Sequence, residues 1–236
     1  MREICLRCFR ASKVCFCKEI MPFVTNTEIV ILMHPREAWK ERVGTGRLAH
    51  LCLQNSRVVV GDEFQSNEVV NLLLHNESYL PMLLYPGEHS HNISVGDFEE
   101  GVRGKLLQKR LLIFVIDGTW PNAKGMMKRS PNLHQIPRIS FTPGEELSKF
   151  KIKQQPAKYC LCTIESIYRL LGDLERWGHE KLQGRHQLLV DTLKKLVDFQ
   201  IACAKDPLLS KYRSGKYKDP DARNYSKKWD RRKVYF

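Results

Sequence analysis

The chain has no apolar run long enough to cross a membrane, and Arg7, Arg10 and Lys13 break up the continuous apolar stretch that a signal peptide would need. A cytoplasmic protein without membrane attachment is expected. Internal repeats and low-complexity linkers are also missing, which excludes a solenoid or a string of tethered modules. Acidic residues are scarce: 26 Asp+Glu stand against 39 Lys+Arg, a formal net charge of +13, with a pI near 9.4. Such a balance in an otherwise ordinary globular composition points to a polyanionic partner. The last 32 residues, Lys205 to Phe236, carry 11 basic and 4 acidic side chains, so more than half of the excess sits in one tail. There Tyr212, Tyr217, Tyr225, Trp229 and Tyr235 alternate with Lys and Arg, which suits RNA: cations meet phosphates and rings stack on unpaired bases. A solvated basic tail has the same composition.

What is present is enough for one large α/β domain with a small appendage in 236 residues. The segments Glu28–Met33, Arg57–Val60, Leu80–Tyr85 and Leu111–Ile116 are short and apolar and are predicted as strands. Arg36 to Leu53 and Glu68 to Glu77 fit helices between them, the alternation of a mainly parallel sheet covered by helices. Ile164, Ile167, Tyr168, Leu171 and Leu174 follow helical spacing, as do Leu189, Leu193, Leu196, Val197 and Ile201. Boundaries are placed near Lys18 to Pro22 and near Asp206-Pro207. The expected division is a segment 1–21, a catalytic domain 22–205 and a basic tail 206–236.

The sharpest signal is Leu111-Leu-Ile-Phe-Val-Ile116 stopping at Asp117-Gly118-Thr119-Trp120. Six apolar residues fit a strand buried on both faces, and Asp-Gly marks its turn into a loop. Ligands in open α/β sheets bind beyond the carboxyl ends of strands, so a carboxylate, a hydroxyl and a large aromatic there are candidate site residues. An Asp-Gly turn followed by a core Trp accounts for the same pattern.

Four of the eight cysteines, Cys5, Cys8, Cys15 and Cys17, lie within 13 residues. Disulfides are not expected in a reducing compartment, and four thiolates in two close pairs suit a closed tetrahedral Zn²⁺ site of structural type. Metal binding would itself fold so short a segment. Cys52, Cys160, Cys162 and Cys203 are scattered and read as core filling.

Asp117-Gly-Thr-Trp120 resembles the signature of the DTW domain family. In family order the chain also has the cysteine cluster, His34-Pro-Arg-Glu37 with Thr45-Gly-Arg47, Leu84-Tyr-Pro-Gly87 and Cys162-Thr-Ile-Glu165. The one departure is Cys162, where a small hydroxyl residue is the family expectation. The resemblance implies a SPOUT-like fold, an α/β sheet with a knotted C-terminal part, which is an exception to the rule against threaded chains. It implies tRNA as partner and S-adenosylmethionine as donor of a 3-amino-3-carboxypropyl group to N3 of a tRNA uridine, releasing methylthioadenosine.

On that footing Asp117 is the candidate base for the N3 proton, with binding of the donor's α-ammonium group as its competing role. Thr119 can hydrogen-bond the donor or Asp117, and Trp120 offers a flat surface to adenine or uracil. Tyr85, Pro86 and Gly87 are implied to form part of the donor pocket, though a plain Pro-Gly turn explains them too. Thr163 and Glu165 are implied pocket residues that could equally be an N-cap and a first-turn acid. Lys40, Arg42 and Arg47 surround a helix start that could hold a phosphate or the donor's carboxylate, with Arg47 the strongest of the three. Lys124, Lys128 and Arg129 are placed to neutralise tRNA phosphates, and His34 reads as a satisfied structural histidine. Two other readings stay open: an RNA methyltransferase using the same donor, and a non-catalytic zinc-containing RNA-binding protein.

Overall fold

The structure, a computed structural model, describes residues 3–212 except 42, 145–147, 154 and 158. After the cysteine segment the chain runs β1 (Glu28–Met33), α1 (Pro35–Trp39), α2 (Thr45–Cys52), β2 (Ser56–Val60), α3 (Glu68–His75), β3 (Tyr79–Leu84), β4 (His91–Asn92) and α4 (Glu100–Leu106). It continues with β5 (Arg110–Asp117), α5 (Trp120–Arg129), α6 (Pro131–His134), β6 (Arg138–Ser140), α7 (Thr163–Arg176) and α8 (Gln187–Lys205). The strands form one six-stranded sheet in the order β2-β1-β5-β3-β6-β4, parallel at every pairing.

The apolar run of β5 is explained by its place between β1 and β3. Alternate residues leave a strand on opposite faces, so a central strand covered by helices on both sides must be apolar throughout. Ile113 and Val115, with Ile29, Ile31 and Met33 of β1, enter the core beneath α2, α7 and α8, among Leu48, Ile164, Ile167, Leu171, Leu189 and Leu193. Leu112 and Phe114, with Val30 and Leu32, enter the opposite core against Val70, Leu73, Met126 and Leu133. The result is three layers, with all strand ends that carry ligand-binding potential on one edge.

The expected helix Arg36 to Leu53 is two helices. The first ends at its C-cap Lys40 and the second starts from its N-cap Gly44. Gly44, Thr45 and Gly46 are weak helix formers in a helix interior, and buried Val43 is drawn into the core between the two helices. The break gives α2 a free N-terminus at the carboxyl edge of the sheet. β4 and β6, of two and three residues, are too short to carry a period. α5, which carries no clear apolar period, starts from its cap Thr119 with Pro121 in its first turn.

The cysteine segment is not a free appendage. Ile20 and Phe23 are buried in the larger core and Phe16 packs against it, while Phe23 N–H donates to the Cys52 carbonyl at 2.9 Å. Among the described residues no helix is long and apolar enough to cross a membrane.

Candidate active site

Asp117 closes β5, and its main-chain carbonyl accepts from His34 N–H at 2.9 Å, so the ends of β1 and β5 are tied together. Its side chain is 3% exposed. One carboxylate oxygen, Oδ1, accepts from the Thr163 hydroxyl at 2.5 Å. The other, Oδ2, is buried and has no hydrogen-bond partner among the described residues. Gly46 packs directly on this carboxylate: a Cβ there would lie 2.5 Å from Cγ and Oδ2. Only glycine allows that approach. The first turns of α2 and α7 therefore converge on one carboxylate, and the partial positive charge of their N-termini faces it.

Burial pushes the Asp117 carboxyl up to about 6. The Thr163 hydrogen bond opposes the rise, Glu37 adds to it, and Lys153 and Arg47 oppose it. Lys153 in turn lies 3.7 Å from Glu37 and 3.5 Å from Glu41. A carboxyl group with that poise exchanges a proton near neutrality, as a general base requires.

A second group of side chains lies at the neighbouring strand ends. Tyr85, just past β3, meets Trp120, the first residue of α5, edge to face with ring centroids 6.5 Å apart. The Arg138 guanidinium sits 5.5 Å from the Tyr85 ring centre. Gly87 lets Arg138 pass, since a Cβ at residue 87 would come within 2.8 Å of its Nη1. Pro86 connects the two, and the turn beyond is pinned by Ser90, whose hydroxyl donates to the Gly87 carbonyl at 2.8 Å. Trp120 also reaches the Cys160 thiol.

Several expected site residues have other engagements. Thr119 is the N-cap of α5, accepting from Asn122 N–H at 3.4 Å. Thr163 is not a cap: Cys162 holds that position and Thr163 is the first helical residue, which leaves its hydroxyl for Asp117. The family departure at Cys162 thus falls on a cap position, and the Thr45 hydroxyl reaches this thiol. Glu165 is buried and fully occupied, accepting from Ser148 Oγ at 2.6 Å, Lys149 N–H at 2.6 Å and Cys162 N–H at 2.9 Å. It fastens the chain before α7 over the site. His34 caps α1, its Nδ1 accepting from Arg36 N–H at 3.1 Å.

Among the cations, Arg47 is half-buried: Nη2 donates to the Ala38 carbonyl at 2.7 Å and the guanidinium lies 4.3 Å from the Phe9 ring centre. Arg129 donates to the Asp62 carbonyl at 3.0 Å. Lys124 and Lys128 are exposed one turn apart on α5. Arg42 and the tail aromatics Tyr217, Tyr225, Trp229 and Tyr235 lie outside the described residues. Gly46, Glu37, Lys153 and Arg138 join the site without having been assigned a part in it from sequence. Gly46 stood inside the Thr-Gly-Arg motif, but its role depends on a contact 71 positions away that no spacing shows.

The four sulfurs of Cys5, Cys8, Cys15 and Cys17 lie within 4.8 Å of one another. Cys5 and Cys17 are 3.9 Å apart and Cys8 and Cys15 3.7 Å. A tetrahedral ion with metal–sulfur bonds of about 2.3 Å needs sulfurs about 3.8 Å apart, so this cluster could hold a metal ion. Main-chain N–H groups of Cys8 and Arg7 pull the Cys5 thiol down to about 6, while burial pushes Cys17 well above its ordinary value.

A DTW domain model matches residues 2–201. The chain is 30% identical over 205 residues to tRNA-uridine aminocarboxypropyltransferase 2 of Drosophila melanogaster, covering 85% of this chain and 76% of that protein. It is 30% identical over 234 residues to the mouse (Mus musculus) protein of the same name, covering 96% and 74%. With tRNA-uridine aminocarboxypropyltransferase A of Arabidopsis thaliana it shares 26% identity over 226 residues, 84% of this chain and 81% of the other. No solved structure matches the chain.

Proposed function

This chain belongs to the DTW domain family, and from that membership and the geometry at the sheet edge we propose that it transfers the 3-amino-3-carboxypropyl group of S-adenosylmethionine to N3 of a tRNA uridine. The observation that carries the reading is Asp117: a buried carboxylate at a central strand end, poised near pH 6, with one oxygen held and the other unpartnered. In this reading Oδ2 takes the imide proton while N3 bonds to the donor carbon and the carbon–sulfur bond breaks. The sulfonium donor supplies a leaving group that departs as neutral methylthioadenosine. Thr163 positions the base, Tyr85 and Trp120 offer flat surfaces to a purine, and Gly87 lets the Arg138 guanidinium pack against this turn beside them.

Other parts of the proposal rest on separate observations. Sulfur spacings of 3.7 and 3.9 Å favour Zn²⁺ at Cys5, Cys8, Cys15 and Cys17. The parallel six-stranded sheet is compatible with a SPOUT-like fold, and its knotted C-terminal part rests on the family resemblance. The division at 1–21, 22–205 and 206–236, the cytoplasmic setting, and tRNA contacts by Arg47, Lys124, Lys128, Arg129 and the basic tail belong to the same reading.

Incubating the protein with tRNA and S-adenosylmethionine, then analysing nucleosides and donor products by mass spectrometry, tests it. Aminocarboxypropyluridine with equimolar methylthioadenosine is expected. Adenosylhomocysteine with a methylated base would make the protein a methyltransferase, and tRNA binding without either product would leave a non-catalytic binder.

A further inference from the structure

Away from Asp117 the cysteine segment and the edge of the sheet enclose a groove of about 560 Å³. Leu6, Arg7 and Phe9 of the cysteine segment, Trp39 of α1, Arg47 of α2, and Val58 and Val60 of the edge strand β2 are among the residues that line it. Trp39 is 72% exposed and Leu6 84% exposed, although both are large and apolar. Among the described residues no acidic side chain lines the groove, while the Arg7 and Arg47 guanidinium groups do.

Phe9 is the most telling residue here. Its φ is +57°, the left-handed region where glycine is the unstrained choice and a bulky side chain is disfavoured. The ring that this costly position holds out is 49% exposed and carries the Arg47 guanidinium on its face. The left-handed backbone closes the cysteine turn, with Phe9 N–H donating to the Cys5 carbonyl at 2.8 Å, and that turn is what presents the ring to the groove. Arg47 is in turn fixed by the Ala38 carbonyl, and its neighbour Gly46 touches the Asp117 carboxylate. Groove and candidate active site thus share one turn of α2.

We propose that this groove binds one unpaired nucleotide of the substrate RNA, next to the uridine presented to Asp117. Exposed rings and flat guanidinium groups stack bases without regard to sequence, and the cations meet the phosphate. An acidic or purely apolar peptide would satisfy the rings or the cations but not both, and the basic tail of this chain is repelled by Arg7 and Arg47. The inference rests on the transferase reading for the identity of the RNA. It gives the cysteine cluster a function, since its folded turn supplies the wall that carries Arg7 and Phe9.

The test uses the full chain with an unmodified tRNA transcript and the variants Trp39→Ala, Trp39→Phe and Arg7→Gln. Trp39→Ala is expected to raise the tRNA Kd and KM by roughly tenfold, the scale of one lost base stack. Donor Kd and kcat at saturating tRNA should not move, and Trp39→Phe should restore most of the affinity. Unchanged tRNA Kd and KM in folded Trp39→Ala and Arg7→Gln overturns the groove assignment. So does a dimer that Trp39→Ala dissociates, which would give the groove to a second copy. If transfer product forms while KM is unaffected, only this inference fails. If no product forms but Trp39→Ala still weakens RNA binding, the groove stands and the transferase reading fails.

Discussion

At the carboxyl edge of the sheet, Asp117 is held by strands whose residues, Ile31, Ile113 and Phe114 among them, have no exposed surface at all. At the N-terminus, Cys5, Cys8, Cys15 and Cys17 are held by one another, between exposed Ile4, Leu6 and Phe9. The first region is fixed by apolar area withdrawn from water, the second by four thiols gathered within 4.8 Å in a cluster that could hold a metal ion. Rigidity follows the same division. A buried carboxylate with an unpartnered oxygen persists only where the surrounding core enforces it, whereas the cysteine turn has no core of its own and borrows Ile20, Phe23 and Phe16 from its neighbour. Chemistry is thus expected to depend on the sheet edge alone, and the cysteine segment to act through folding and RNA contact.

The largest effect should come from the carboxylate. Asp117→Asn is expected to lower turnover by on the order of a hundredfold or more while tRNA affinity stays within about twofold, because the proposed function makes this carboxylate the base and gives it no RNA contact. Single-turnover rates with saturating donor measure this, and a near-wild-type rate would remove Asp117 from the chemistry. The pH dependence sharpens the point. Asp117 has a raised folded value of about 6 against about 3.9 unfolded, so its favourable contribution to stability is complete below pH 4 and is lost as pH rises through 6. The ionised group then opposes folding by roughly 3 kcal/mol. Turnover should rise with pH through about 6 in the natural protein, and Asp117→Asn should lack that limb. The stability of the variant relative to the natural protein should increase between pH 4 and pH 7, readable from urea midpoints.

Gly46→Ala comes next. A methyl group 2.5 Å from the Asp117 carboxylate must displace either α2 or the side chain. A stability loss of about 1–3 kcal/mol is expected from overpacking. Turnover should fall by roughly tenfold or more, beyond what the unfolded fraction explains. An active, fully stable Gly46→Ala protein would show that the contact is not maintained in solution.

These two residues also show how far the sequence could be read. β1 and β5 were legible because strands buried on both faces must be apolar at every position, and α7 and α8 because one buried face repeats every turn. Asp117 was legible because it ends such a strand. What surrounds it was not: Gly46, Glu37 and Lys153 reach it from loops and short helices whose spacing carries no period. The expected helix Arg36 to Leu53 failed for a related reason, since its apolar pattern continues through a break that only Gly44 and Gly46 announce. Thr163 was read as a possible cap because it precedes the periodic residues; the cap lies one position earlier, which turns a structural hydroxyl into a ligand of Asp117.

Thr163→Val is expected to act through that hydrogen bond. Because the bond lowers the Asp117 value, its loss should move the acidic limb of turnover above pH 6 and reduce the rate at neutral pH by a few-fold. Thr163→Ser should restore both. A limb that stays in place, with the rate reduced at every pH alike, would mean that Thr163 holds α7 rather than the carboxylate.

The smallest effect on chemistry, and the most direct attempt to break the contrast, is removal of metal. One equivalent of Zn²⁺ is expected in protein purified without chelator, and Cys8→Ser, which exchanges a buried thiolate ligand for a hydroxyl, should abolish it. Amides of residues 5–17 should then lose hydrogen-exchange protection, because the three remaining thiols no longer share an ion that ties the two close pairs together. Amides of β1 and β5 should keep theirs, donor affinity should change by less than about twofold, and turnover at saturating tRNA should change little, since neither region's ligands belong to the other. Arg47 reaches across, with its guanidinium on Phe9 and its charge felt at Asp117. If metal removal weakens donor binding or shifts the acidic limb of turnover, Arg47 transmits the loss and the two regions are one site. If both stay fixed while the N-terminal amides exchange freely, the ion folds a wall of the enzyme and leaves its chemistry to the sheet.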